Sequence, residues 1–242
     1  MFANRFRKAA LAAALSAGAL PVSAATHTYD FKAAANAGGG IGESIFSSFA
    51  TGASGGAFAG FAGPNLDITA SASGDDDGDQ FVYFDNGNAG MGVCKDALAG
   101  APVGSYTDGA ANACDPGSDD GITGLDEALT FTATDAAVLI ESIWMNANHD
   151  APDVTAASYL IGGTLYSAAD MIPHSLSGTG DVRIDLGLVL NIGDSFSIAP
   201  QAGSPSSYIS GIALSAVPLP GAGLLLLGAL GGLGAAARRR RI

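Results

Sequence analysis

The chain has 242 residues, 23 of them acidic and 10 basic. Seven of the basic residues sit in the two end segments, so the stretch between them sets Lys32, Lys95 and Arg183 against all 23 acids, a formal charge of −20. So few cations cannot neutralise phosphates, which excludes nucleic acid as a partner; the same charge favours solubility outside the cell.

Residues 1–24 are laid out as a secretory signal. Arg5, Arg7 and Lys8 precede an apolar, alanine-rich run from Ala9 to Leu20, expected as a helix. Pro21 breaks the run, and Val22-Ser23-Ala24 puts small residues where a signal peptidase reads. The mature chain is expected to start near Ala25 or Thr26. The alternative is a short buried helix.

Residues 25–216, roughly 190 in number, are enough for one domain with its own core. Ala33 to Gly63 is rich in Gly, Ala and Ser but carries Phe46, Phe49, Phe58 and Phe61. It is expected as packed loop with a strand or a short helix. Period-two runs follow at Leu66–Ala70 and Gln80–Phe84, separated by the acidic turn Gly74–Asp79. More come at Leu129–Thr132, Val138–Trp144, Val182–Leu186, Ser195–Ile198 and Tyr208–Leu214. β-Branched and aromatic residues fill these runs, and Gly, Asn, Asp and Pro divide them. The expected fold is all-β, a single jelly-roll-like β-sandwich domain, with barrel closure as the alternative.

Cys94 and Cys114 form an even pair in an exported chain, which favours a disulfide over metal ligation. Asp75 to Asp79 imitates part of an EF-hand loop, but Gln80 stands where that loop needs glycine and no helices flank it. A second acidic group follows Cys114. Asp115, Asp119, Asp120 and Glu127 are the candidate ligands for calcium, the one cofactor in view, because hard cations take carboxylates gathered on an irregular loop. The alternative is a solvated acidic loop. His27, His149 and His174 have no partner at a catalytic spacing, and the common hydrolase and metalloprotease motifs are missing, so no enzyme is expected. Trp144, Tyr106, Tyr166 and Tyr208 are the candidates for stacking on sugar rings, with Trp144 read first as a core residue.

The chain closes with Val217-Pro218-Leu219-Pro220, an uncharged run from Gly221 to Ala237, and Arg238, Arg239, Arg240 and Arg241. Seventeen residues at about 1.5 Å each reach roughly 25 Å, just short of a hydrocarbon core of about 30 Å. A C-terminal transmembrane helix is therefore expected over Gly221 to Ala237, within a sorting and anchor segment of 217–242, with the arginines holding the end in the cytoplasm. These three parts in this order resemble the PEP-CTERM sorting signal of exosortase-processed proteins, in its VPLPA-CTERM variant; Gly221 stands where that variant has alanine. The resemblance implies export, transient anchoring in the inner membrane, processing by an exosortase-type enzyme, and association with extracellular polysaccharide and biofilm matrix at the surface of a Gram-negative bacterium. A permanent single-span anchor is the rival. A second stretch, from Asp85 to Cys94 and from Cys114 through Asp120 to Phe131, is similar to a body module of some such sorted proteins and implies no activity. The function expected is a structural or adhesive matrix protein, with a carbohydrate- or calcium-binding module as the alternative and a glycan-active enzyme third.

Overall fold

The computed structural model describes residues 24–37, 41–52, 63–72, 80–104, 112–115, 121–123, 126–146, 157–177 and 180–217. The signal segment up to Ser23, the acidic turn from Asp75 to Asp79, Tyr106, Asp119, Asp120, His149, Asp150, Pro218 to Pro220 and Arg238 to Arg241 lie outside the described residues. Among the described residues no helix is long and apolar enough to cross a membrane.

Ala25 to Val217 form one compact unit, almost all of it β-structure. Its strands are β1 (Thr26–Asp30), β2 (Ser44–Phe46), β3 (Phe49–Ala50), β4 (Leu66–Ser71), β5 (Phe81–Asp85), β6 (Gly90–Cys94) and β7 (Ala128–Ala133). They continue with β8 (Val138–Asn146), β9 (Ser158–Ile161), β10 (Thr164–Ser167), β11 (Met171–Pro173), β12 (Val182–Leu190), β13 (Ser195–Pro200) and β14 (Tyr208–Ala216). One sheet has the order β11-β12-β8-β14-β6-β5-β2, with β1 also on β14; the other has the order β10-β9-β13-β7-β4-β3. Strand pairing is antiparallel throughout.

Alternation decides which face goes inside. Leu66 and Ile68 of β4, Leu129 and Phe131 of β7, and Phe196 and Ile198 of β13 point into one core. From the other sheet Val82, Phe84, Ile140, Ile143, Ile212 and Leu214 join the same core. The result is a sandwich-like all-β body, and the seven period-two runs of the sequence are β4, β5, β7, β8, β12, β13 and β14.

The Gly-rich segment after β1 supplies a short helix, α1 (Phe31–Asn36), as well as β2 and β3. Asp30 starts α1 by accepting a hydrogen bond from the Ala33 backbone N–H at 2.7 Å, which satisfies one of the open donors of the first turn. Phe31, Ala34 and Ala35 are buried in the core, and α1 packs on β5, β6 and β14. The Phe84 ring meets Phe31, Phe46 and Phe49 at centroid distances of 6.2, 5.8 and 4.7 Å, so one aromatic group ties helix, β2, β3 and β5 together.

Strand β14 is the middle of its sheet and is buried at every position but the last. One of its sides belongs to β8. The other is shared, with β6 meeting it at Ile209 and β1 running beside it from Gly211 to Ser215. The approach of β6 needs glycine. A Cβ on Gly90 would lie 2.6 Å from the Ile209 carbonyl oxygen, and the residue sits at φ +124°.

The sheet end formed by β2, β5 and β6 is covered on its outer face as well. Cys94 and Cys114 are joined by a disulfide with Cα atoms 5.6 Å apart. The pair packs with Ile45, Phe81, Tyr83 and Ala113 in a second, smaller apolar cluster. The loop it closes runs back along the sheet: Leu98 N–H donates to the Ala113 carbonyl at 2.8 Å, and Gly104 N–H to Ile45 at 2.8 Å. This last contact, with the parallel bridge of Val103 to Ile45, covers the edge of β2.

Candidate functional site

The outer face of the second sheet is the candidate. Its outward positions are Asp67, Thr69 and Ser71 on β4, Thr130 and Thr132 on β7, and Ser195 and Ser197 on β13. Register turns these into rows. Thr69 pairs with Thr130, and Thr130 with Ser197; Asp67 pairs with Thr132, and Thr132 with Ser195. Neighbouring strands lie about 4.8 Å apart and outward residues of one strand roughly 6.7 Å apart, so the hydroxyls form a regular grid. Thr69, Ser195 and Ser197 are exposed, and Thr130 and Thr132 half-buried.

Beside the grid lies an apolar border. Ala199 of β13 pairs with Leu160 of β9, and Leu160 pairs with Leu165 of β10. Leu160 and Leu165 are 39% and 60% exposed, so this border is apolar and open to solvent. The β9–β10 turn is Gly162-Gly163, both with positive φ, as a two-residue hairpin requires. These glycines, with Thr130, Ser195, Phe196 and Ser197, line an open depression between the grid and the border. The face offers hydroxyls to exchange hydrogen bonds, one carboxylate at Asp67, and methyls to cover C–H groups.

Tyr106 lies outside the described residues, and the other three expected stacking residues do not supply such a surface. Trp144 and Tyr208 are buried, Tyr166 packs half-buried against the core, and every described aromatic side chain is at least half-buried. Trp144 lies outside the main core cluster, and its indole N–H donates to His174 Nδ1 at 3.3 Å.

Of the four candidate calcium ligands, Asp119 and Asp120 lie outside the described residues, and the other two are placed as follows. Asp115 is exposed, and its backbone N–H donates to the Asp96 carbonyl at 2.9 Å. Glu127 is fully buried; its carboxylate meets Lys95 Nζ at 2.7 Å and accepts from the Thr123 hydroxyl at 2.9 Å and from the Thr123 backbone N–H. Burial pushes the Glu127 carboxyl above the usual glutamate range, against the opposing pull of Lys95 and Thr123. Among the described residues no group of three or more His, Cys, Asp or Glu side chains is placed to hold a metal ion.

Two further polar centres escaped sequence reasoning. Glu43, on a backbone with φ +65°, is buried and accepts the Tyr83 hydroxyl at 2.7 Å. Lys32 and Asp181 form an ion pair of 2.6 Å with side chains 1% and 0% exposed. No local pattern announces a contact 149 residues apart. The hydroxyl grid did carry a signal, the Thr-x-Thr and Ser-x-Ser alternation at Thr130, Thr132, Ser195 and Ser197.

No family model matches the chain, and no curated protein or solved structure does either.

Proposed function

We propose that this is an exported surface or matrix protein with a structural or adhesive role, which lies against a neutral extracellular polysaccharide through the hydroxyl grid of its second sheet. The observation that carries this reading is the pair of cross-strand rows, Thr69–Thr130–Ser197 and Asp67–Thr132–Ser195, bordered by Leu160 and Leu165. With charge −20 on the body, a face whose rows hold one carboxylate among five hydroxyls favours an uncharged partner over a polyanion. Sugar rings present hydroxyls at their rims and C–H groups on their faces, matching the grid and the apolar border.

The address segments belong to the same reading. The signal-like start, the Val217-Pro218-Leu219-Pro220 motif and Arg238 to Arg241 support export, passage through the inner membrane and exosortase processing, with the body a jelly-roll-like sandwich acting without catalysis. A disulfide in the body agrees with an oxidising destination.

Cosedimentation with microcrystalline cellulose and with exopolysaccharide stripped from host cells tests the proposal. The protein is expected in the pellet of one or both. The triple variant Thr69→Ala, Thr130→Ala, Ser197→Ala is expected to bind at least tenfold more weakly, since each lost hydrogen bond is worth about 1 kcal/mol. Protein that stays in the supernatant with both polymers, or a triple variant that pellets like the parent, overturns it.

A further inference from the structure

We infer that Lys32 and Asp181 are poised to condense into an internal amide, a covalent cross-link from the first helix to the start of β12. Lys32 lies in α1 just after β1, and Asp181 directly precedes β12. Their side chains are closed off from solvent and meet at 2.6 Å. Both oxygens of Asp181 carry further donors: the Ser210 hydroxyl to Oδ1 at 2.7 Å, and the Leu176 backbone N–H to Oδ2 at 3.0 Å. The carboxyl is thereby fixed in orientation and polarised, with the Lys32 amine against it.

The chemistry follows from the surroundings. The first step is the passage of one proton across the 2.6 Å contact from the Lys32 ammonium to Asp181 Oδ2, which leaves an amine and a carboxylic acid face to face. The amine nitrogen then attacks Asp181 Cγ. Negative charge developing on Oδ1 is met by the Ser210 hydroxyl, as donors aimed at a forming oxyanion do elsewhere. The attacking nitrogen gives a second proton to Oδ2, the Cγ–Oδ2 bond breaks, and Oδ2 leaves as water. One C–N bond forms, one C–O bond is lost, and the products are a secondary amide and one water. No oxidant or co-reactant enters. Holding two reactants in contact removes the entropic share of the barrier to this condensation. The amide also removes two buried charges from the core.

The link would fasten α1 to β12 across 149 residues, a role separate from the hydroxyl grid on the other sheet. The first arm of its test uses the parent protein alone. The exported full-length protein is unfolded, reduced and digested with trypsin, which does not cleave after an acylated lysine. The expected product joins the segment containing Lys32 and its uncut continuation to Lys95 with the peptide of residues 96–183. It is lighter than the two separate peptides by one water. Lys32→Arg, which keeps the cation but cannot form this link, is expected to restore the missing water. Quantitative release of a peptide ending at Lys32, with Asp181 unmodified, overturns the inference. So does a missing water that persists in Lys32→Arg.

Discussion

Two regions of the molecule solve the problem of a sheet's outer face in opposite ways. At β5 and β6 every residue is buried, on both faces, because the disulfide-bounded loop lies over the outside. On β4, β7 and β13 only alternate residues are buried, and the outer positions are mostly short hydroxyl side chains, with Asp67 among them. In the first region Gln80 to Phe84, expected as an alternating run, is buried at every strand position from Phe81 on, whereas Leu129-Thr130-Phe131-Thr132 in the second keeps strict alternation. A covered face serves stability. The uncovered face is the one proposed for contact.

The comparison is broken most strongly at the disulfide. Replacing Cys94 and Cys114 with serine reopens a loop of 20 residues and is expected to cost about 3 kcal/mol. Hydrogen exchange should rise at β2, β5 and β6 while β7 and β13 keep their protection. Equal loss across both sheets would mean that the two regions do not differ in what holds them.

Lys95→Ala sharpens the comparison from the same end. It leaves the buried Glu127 carboxylate without its cation and is expected to cost about 2 kcal/mol at neutral pH, discounted for the partial exposure of Lys95. The pH dependence has a definite sign. Because the folded Glu127 holds its proton to higher pH than the unfolded one, its contribution is fully present below the ordinary glutamate range and is lost as pH rises through the raised folded value. Thermal melts should therefore show the Lys95→Ala deficit shrinking toward acid, and Glu127→Gln should remove this slope. A deficit independent of pH would show that Lys95 acts through packing alone.

The smallest effect is expected on the open face. Thr130→Val or Ser197→Ala should change stability by no more than about 0.5 kcal/mol in a denaturant titration, since neither hydroxyl makes a hydrogen bond among the described residues. A loss of 2 kcal/mol or more would place the grid with the covered region, as structure rather than contact surface.

The strands with strict alternation were legible because the signal is local. Leu66 to Ala70, Leu129 to Thr132 and Ser195 to Ile198 each show a period of two within a few residues. Strand β6 was not, because Gly90 and Gly92 weaken the pattern, and Gly90 is glycine for the sake of Ile209, more than a hundred residues later. The β9–β10 hairpin had a readable turn in Gly162-Gly163 between Leu160 and Leu165, so that omission was avoidable. The cysteine pairing followed from count and compartment. The hydroxyl rows were half legible: alternation placed Thr130 and Ser197 outward, but only the pairing of β7 with β13 sets them side by side. Lys32 and Asp181 lay beyond any local rule.

The pairing of β1 with β14 has a mechanical meaning. Thr26 faces Ser215 and Asp30 faces Gly211, so the unit's first and last strands enter and leave at the same end of one ladder. Tension between the two ends loads that ladder one rung at a time, starting at Thr26 and Ser215, instead of shearing all rungs together. Such a seam yields at low force. Peeling would run along β1 to Asp30 and reach α1, where Phe31 is locked into the core and Lys32 grips Asp181. The weak seam is thus five residues long, and the next hold along the chain is a tether that does not depend on the order in which the rungs let go.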